Sequence, residues 1–223
     1  MTSEPEEVLN LIRISDTFFP LGSFTVSQGM EQLVVEDLLP KEKITPVVQM
    51  YMDKIWTSFD FQIFHHSLEA AKREDLELLL KIDGLCYASK IAEESRTAMQ
   101  KMGANLGSAV PFGEKTLGAR YKELIEKEHT PGMYPVMLAV VSKELKLNEQ
   151  GGISLMYVNL IEVIASLVRM AEIDYLEAQN VMSEGIRGIK LDVGSFADLN
   201  QSYPAIDIAS MRHEVNPNRM FIS

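Results

Sequence analysis

Apolar residues recur at helical spacing along almost the whole chain, and no convincing run alternates with the two-residue period of a strand. That property restricts the fold to helices packed on helices, because each apolar stripe needs another element to cover it. Two segments set the strongest demand. After Thr45-Pro46, the residues Val47, Val48, Met50, Tyr51, Ile55, Trp56, Phe59, Ile63, Phe64 and Leu68 cover most of a helix circumference. Such a helix belongs at the centre of a core. From Ile153 to Met170 a second apolar run is interrupted by Asn159, Glu162, Ser166 and Arg169. A membrane span wants ~20 largely uncharged residues, so this run reads as a buried helix of a cytoplasmic protein.

Punctuation residues divide the chain. A helix is expected over Val8–Ser15, ending before the Pro20–Gly22 turn, and a second over Phe24–Glu36. Thr45-Pro46 opens the central helix, since proline loses nothing in a first turn. Helical segments follow over Glu74–Ile82 and Leu85–Leu106, with Asp83-Gly84 as a bend between them. Gly107–Gly113 reads as a loop, Glu114–Lys127 as a polar helix, and His129–Gly132 as a turn. Tyr134-Pro135 opens a helix to Leu147, Gly151-Gly152 separates it from the Ile153 helix, and a last helix spans Asp174–Arg187. The predicted fold is all-α: a single antiparallel bundle of about eight or more helices over residues 1–203. Residues 204–223 read as a C-terminal tail rather than as core.

The formal net charge of −11 argues against a nucleic-acid surface or an anionic membrane surface, both of which need clustered cations. Cys86 is the only cysteine, which excludes an internal disulfide and a Cys-rich metal site. The acidic start, Met1 to Glu7, lacks the basic and apolar regions of a signal peptide.

A catalytic site is not legible. His65 and His66 are adjacent, so on a helix they point ~100° apart and cannot grip one ion together. There is no His-Glu-x-x-His, no Cys-x-x-Cys, no phosphate loop and no nucleophile elbow. Of the four histidines only His129 has a glutamate three residues earlier, Glu126, the pattern that a helical metal-dependent enzyme repeats on facing helices. Such an enzyme, with carboxylate and His ligands, is the alternative reading. The polar stripe Asn159, Glu162, Ser166 and Arg169 has two readings. Either Arg96 or Arg169 neutralises Glu162 inside the bundle, or the stripe lines a subunit contact or polar passage.

Four stretches carry a family resemblance. Phe19-Pro20-Leu21-Gly22-Ser23-Phe24 with Ser27-Gln28-Gly29-Met30-Glu31 forms a Pro-hydrophobic-Gly turn followed by Ser-x-Gly-hydrophobic-Glu. Glu94-Ser95-Arg96 with Met102-Gly103 comes next, then Tyr134-Pro135-Val136. Ser210-Met211-Arg212-His213-Glu214 and Arg219-Met220-Phe221-Ile222-Ser223 close the chain. In this order they resemble the urease accessory protein F (UreF) family over nearly the whole length. One departure is local: where most members follow the arginine matched by Arg169 with Pro-Leu-Gly-Gln, this chain has Glu172-Ile173-Asp174-Tyr175.

The resemblance implies an all-α, non-catalytic adaptor that dimerises and binds no cofactor by itself. Its implied partners are a scaffold accessory protein (UreD, also called UreH) and a nickel-carrying GTPase (UreG). Nickel and GTP belong to the assembled complex, which serves apo-urease. The tail is implied to become ordered on the scaffold. The partner-binding residues expected on this basis are Ser27, Gln28, Glu31, Arg96, Arg169, Arg212, His213, Glu214, Arg219 and Phe221. Arg212, Arg219 and Phe221 are the expected anchors, since Arg and aromatic side chains dominate interface energetics. No sequence feature singles out an arginine finger for the GTPase.

Overall fold

The computed structural model describes residues 4–196, 199 and 203–221. Helix α1 (Pro5–Ser15) opens on a proline in its first turn. After the Pro20–Gly22 turn comes a short 3₁₀ turn (Ser23–Thr25), then α2 (Met30–Val35). The single helix expected over Phe24–Glu36 is therefore split, because Gln28 (φ 53°) and Gly29 (φ 84°) both take left-handed backbone. Helix α3 (Ile44–Tyr51) runs through a π-helical segment (Met52–Asp60) into α4 (Phe61–Lys72). The continuous central helix is as expected; its widened middle is not visible in the apolar spacing. There follow α5 (Leu76–Ser89), α6 (Glu93–Ala109), α7 (Leu117–Glu126), α8 (Tyr134–Glu144), α9 (Gln150–Arg169), α10 (Tyr175–Gly188) and α11 (Pro204–Glu214). No strand occurs among the described residues, so the all-α expectation holds.

Helix α8 lies between α4 and α6, and every residue from Tyr134 to Ser142 is buried. Helix α9 packs on α8, α4, α10 and α1, while α11 packs on α2 and α6. By length and composition α9 could cross a membrane, but 72% of its apolar window is buried inside the bundle.

Several expected boundaries move, each for a packing reason. Asp83-Gly84 is no bend, since α5 runs straight through it. Asp83 is fully buried, and its carboxylate accepts from Thr130 Oγ1 (2.6 Å) and from the backbone N–H groups of Gly132 and Met133 (both 2.8 Å). It thus fastens the turn that starts α8. The break falls at Lys90–Ala92 instead, where the Arg96 guanidinium takes the carbonyls of Lys90 and Ile91. Gly151 and Gly152 do not separate helices but lie inside α9, where close approach requires them. A Cβ on Gly151 would sit 1.9 Å from Ser142 Oγ, and one on Gly152 2.6 Å from the Phe61 ring. The expected loop from Gly107 begins only after α6 ends at Ala109.

The reading of residues 204–223 as a tail rather than core is also corrected over its described part. Pro204–Glu214 is a helix, with Ile206, Ala209, Ser210 and His213 buried. Ile222 and Ser223, like Met1–Ser3, lie outside the described residues. The atypical segment after Arg169 has a local account. Ala171 takes a positive φ of 61°, and Asp174 with Glu177 forms a reciprocal capping box that starts α10.

Candidate partner-binding site

The site is built where α11 crosses α2. Glu31, on α2, is buried, with 4% of its surface exposed. Its carboxylate accepts from His213 Nε2 (2.7 Å) and from the backbone N–H groups of Met220 (2.5 Å) and Phe221 (3.0 Å). The other ring nitrogen of His213, Nδ1, lies 2.7 Å from Glu94 Oε2. A carboxylate at neutral pH can only accept, so both imidazole nitrogens must donate and His213 is an imidazolium. Burial opposes that charge, but the hydrogen bonds to Glu94 and Glu31 outweigh it and raise the imidazole pKa above its ordinary value. Burial likewise works against ionised Glu31, yet the donors from Met220, His213 and Phe221 hold its pKa below the usual carboxylate range. The close approach of the two helices needs Gly29, because a Cβ there would meet Ser210 Oγ at 2.9 Å.

Five of the remaining expected residues surround this clamp. Phe221 is buried, and the Arg169 guanidinium stacks 4.4 Å over its ring while donating to the Phe24 carbonyl. Arg219 donates to the Glu214 carbonyl (3.1 Å) and lies 3.8 Å from Glu94 Oε2. The Glu214 carboxylate accepts from the Glu94 N–H (3.2 Å), an otherwise open donor in the first turn of α6. Arg212 pairs with Glu36 at 2.8 Å, largely in solvent.

The turn before α2 faces the other way, into the core. The Gln28 carbonyl accepts from Tyr51 OH (2.5 Å), its Oε1 from Trp56 Nε1 (2.9 Å), and its Nε2 donates to Glu162 Oε2 (2.8 Å). Those bonds hold a left-handed backbone that costs about 1 kcal/mol for a non-glycine residue. Ser27 is buried, with no partner for its hydroxyl among the described residues.

Arg96 stands apart, donating to the carbonyls at the break after α5 and lying 5.5 Å over the Tyr87 ring. Neither it nor Arg169 neutralises Glu162, which corrects that reading of the polar stripe. The Glu162 carboxyl is bonded to the Gln28 amide, and burial pushes its pKa up to about 8, so at neutral pH it is mostly protonated.

Three buried charged residues were missed in the sequence. Glu94 was visible in the Glu-x-Arg motif but gave no sign that it faces His213, 119 residues away. The buried ion pair of Lys90 with Asp60, at 2.7 Å, left no local signal either. Among the described residues no group of three or more His, Cys, Asp or Glu is arranged to hold a metal ion. His129 and Glu126 do not come together with further ligands, and Glu126 pairs with Lys122 at 4.0 Å.

Fold and site together define a protein that is helical, with no strand, over its described residues and whose best-built polar cluster grips a polypeptide segment, here its own residues 213–221. The UreF family model matches residues 41–185, and the chain belongs to the UreF family. A urease accessory protein UreF of Bacillus sp. (strain TB-90) is 25% identical over 230 residues, spanning 97% of this chain and 99% of the relative. The urease accessory protein UreF of Actinobacillus pleuropneumoniae serotype 5b (strain L20) is 24% identical, spanning 96% and 97%. That of Haemophilus influenzae (strain ATCC 51907 / DSM 11121 / KW20 / Rd) is also 24% identical, spanning 96% and 94%. These are accessory proteins rather than enzymes, and the chain is one of this kind. Glu31 and His213 lie outside the matched 41–185 stretch but inside the span shared with the relatives.

Proposed function

We propose that the protein is a non-catalytic adaptor of urease maturation, acting in the cytoplasm as a homodimer. In this reading it links the scaffold accessory protein UreD/UreH to the nickel-carrying GTPase UreG for nickel insertion into apo-urease. Nickel and GTP belong to the complex and not to this chain. The observation that carries the reading is the two-sided character of α11. Its inner face is locked through His213, while Ile208, Met211 and Val215 are exposed at i, i+3 and i+7. A helix apolar on both faces is suited to a second polypeptide laid over the outer one. Arg212 and Arg219, each partly exposed beside that face, supply the planar donors that interfaces favour.

The test is co-purification with the scaffold and the GTPase, resolved by size exclusion. Wild type is expected in a stable ternary complex, and Met211→Asp, placing a charge on the outer stripe, is expected to weaken scaffold binding at least tenfold while α11 stays folded. Absence of any complex with wild type sinks the adaptor reading.

A further inference from the structure

Beneath the clamp lies a partly open cavity of about 70 Å³, bounded by the turn before α2 and by α3, α6, α8, α9 and α11. A water needs roughly 10–15 Å³ measured this way, so the space fits about five waters or a solute of about four heavy atoms. Its polar wall is unusual. Tyr134, Asn159 and Glu162 all line it and are no more than 3% exposed, and among the described residues the Tyr134 hydroxyl, Asn159 Nδ2 and Glu162 Oε1 have no hydrogen-bond partner. Buried polar atoms left without partners cost about 1–3 kcal/mol each, so three on one wall call for an occupant.

Their chemistry says which kind. Glu162 Oε2 already accepts from Gln28, and burial keeps the acid protonated near neutrality, so its proton sits on Oε1. A phenol O–H, an amide N–H and a carboxyl O–H then offer donors to the same space. What they match is one acceptor oxygen. A metal cation would meet protons rather than lone pairs. An anion would find no free counter-charge on the wall, because Lys90 is committed to Asp60 at 2.7 Å. Another wall, on α11, carries an acceptor, since Asp207 Oδ2 is also buried with no partner among the described residues. Val26, Ile55, Ala98 and Met102 supply apolar surface for the rest of the solute.

We propose that this cavity is a binding site for a small neutral carbonyl compound with N–H donors, a primary amide or urea. The carbonyl oxygen takes the Tyr134, Asn159 and Glu162 donors, and an N–H group serves Asp207. The site is separate from the outer face of α11, so it stands or falls independently of the adaptor reading.

Trp56, the only tryptophan, reports on the site through Gln28, which bonds both the indole and Glu162. Full-length protein is titrated with acetamide and with urea up to ~100 mM, well below denaturing levels, following Trp56 fluorescence and ligand-observed saturation-transfer NMR. A saturable change with a millimolar Kd is expected, the range open to a ligand of about four heavy atoms. Ala98→Leu, which fills the cavity, and Ser95→Leu, a milder plug at its less buried rim, are expected to weaken binding at least tenfold with circular dichroism unchanged. The proposal is overturned if neither compound gives saturable fluorescence or saturation transfer with wild type, the site then holding water only. Binding that both folded plugs leave unaltered overturns it equally.

Discussion

Two buried carboxylates each fasten a distant piece of chain, and they do so under opposite electrostatic regimes. Asp83 grips the turn before α8 through three neutral donors and no cation. Burial therefore wins, and the Asp83 carboxyl is pushed above the usual range despite those bonds. Glu31 grips residues 213–221 through two backbone N–H groups and a charged imidazole, and its carboxyl is held below the usual range. The first clamp sits within the core, beside α8. The second joins the last described segment, whose Ile206 and Ala209 belong to the same core, to α2 and α6. The lesson is that similar hydrogen-bond counts leave one carboxyl favouring its protonated form and the other its charged form, according to whether a cation is among the donors.

The largest expected effect is that of Asp83→Ala. It strands the Thr130 hydroxyl and two backbone N–H groups in the interior, each worth about 1–3 kcal/mol. Global unfolding in denaturant should show a loss of about 3–5 kcal/mol, the lower part of the range for three stranded donors. A loss under 1 kcal/mol would mean the turn holds itself.

His213→Ala comes next, leaving Glu31 and Glu94 facing each other without the cation between them. The expected loss of about 2–4 kcal/mol should appear mainly as local opening. Amide exchange and limited proteolysis should speed up over residues 204–221 far more than over α8. If both variants lower global stability with uniform exchange, the two clamps are alike and the comparison breaks.

A smaller effect distinguishes the clamps by pH, and here the signs differ. Glu31, with its pKa lowered from 4.5, contributes stability above that value and loses it as pH falls through its folded pKa. His213, with its pKa raised from 6.5, contributes fully below that value and loses it as pH rises through its folded pKa. Protection of the C-terminal segment should therefore be greatest between about pH 4.5 and 6.5 and decline on both sides. Asp83, raised from 3.8, favours the protonated form, so its contribution falls as pH rises from that value through its folded pKa. Exchange measured across this range for residues 213–221 and 130–133 should give a maximum for the first and a steady decline for the second.

Much of the fold was legible because it rests on short-range rules. The proline of Tyr134-Pro135 opens α8 as expected, and the apolar run after Thr45 is the central helix. Most of the expected site residues gather around α2 and α11, while Ser27 and Gln28 face the core and Arg96 serves a helix break. The resemblance supplied that set, since nothing within a few residues of His213 tells that its partners lie 119 and 182 positions away. Asp83-Gly84 misled for the same reason. As a dipeptide it favours a turn, but the donors that reward a helical Asp83 come from residues 130–133.

The sequence by itself determined the class: period-3.6 apolar patterning commits the chain to helices, and a single cysteine and an acidic surface exclude whole families of sites. Only the tertiary structure decided which polar residues become charged, neutral or unpartnered. Protonation and hydrogen bonding depend on burial and on groups distant in sequence, and those are fixed only when the helices pack. His213 became a buried cation because two carboxylates meet it, and Glu162 a buried neutral acid because no cation does.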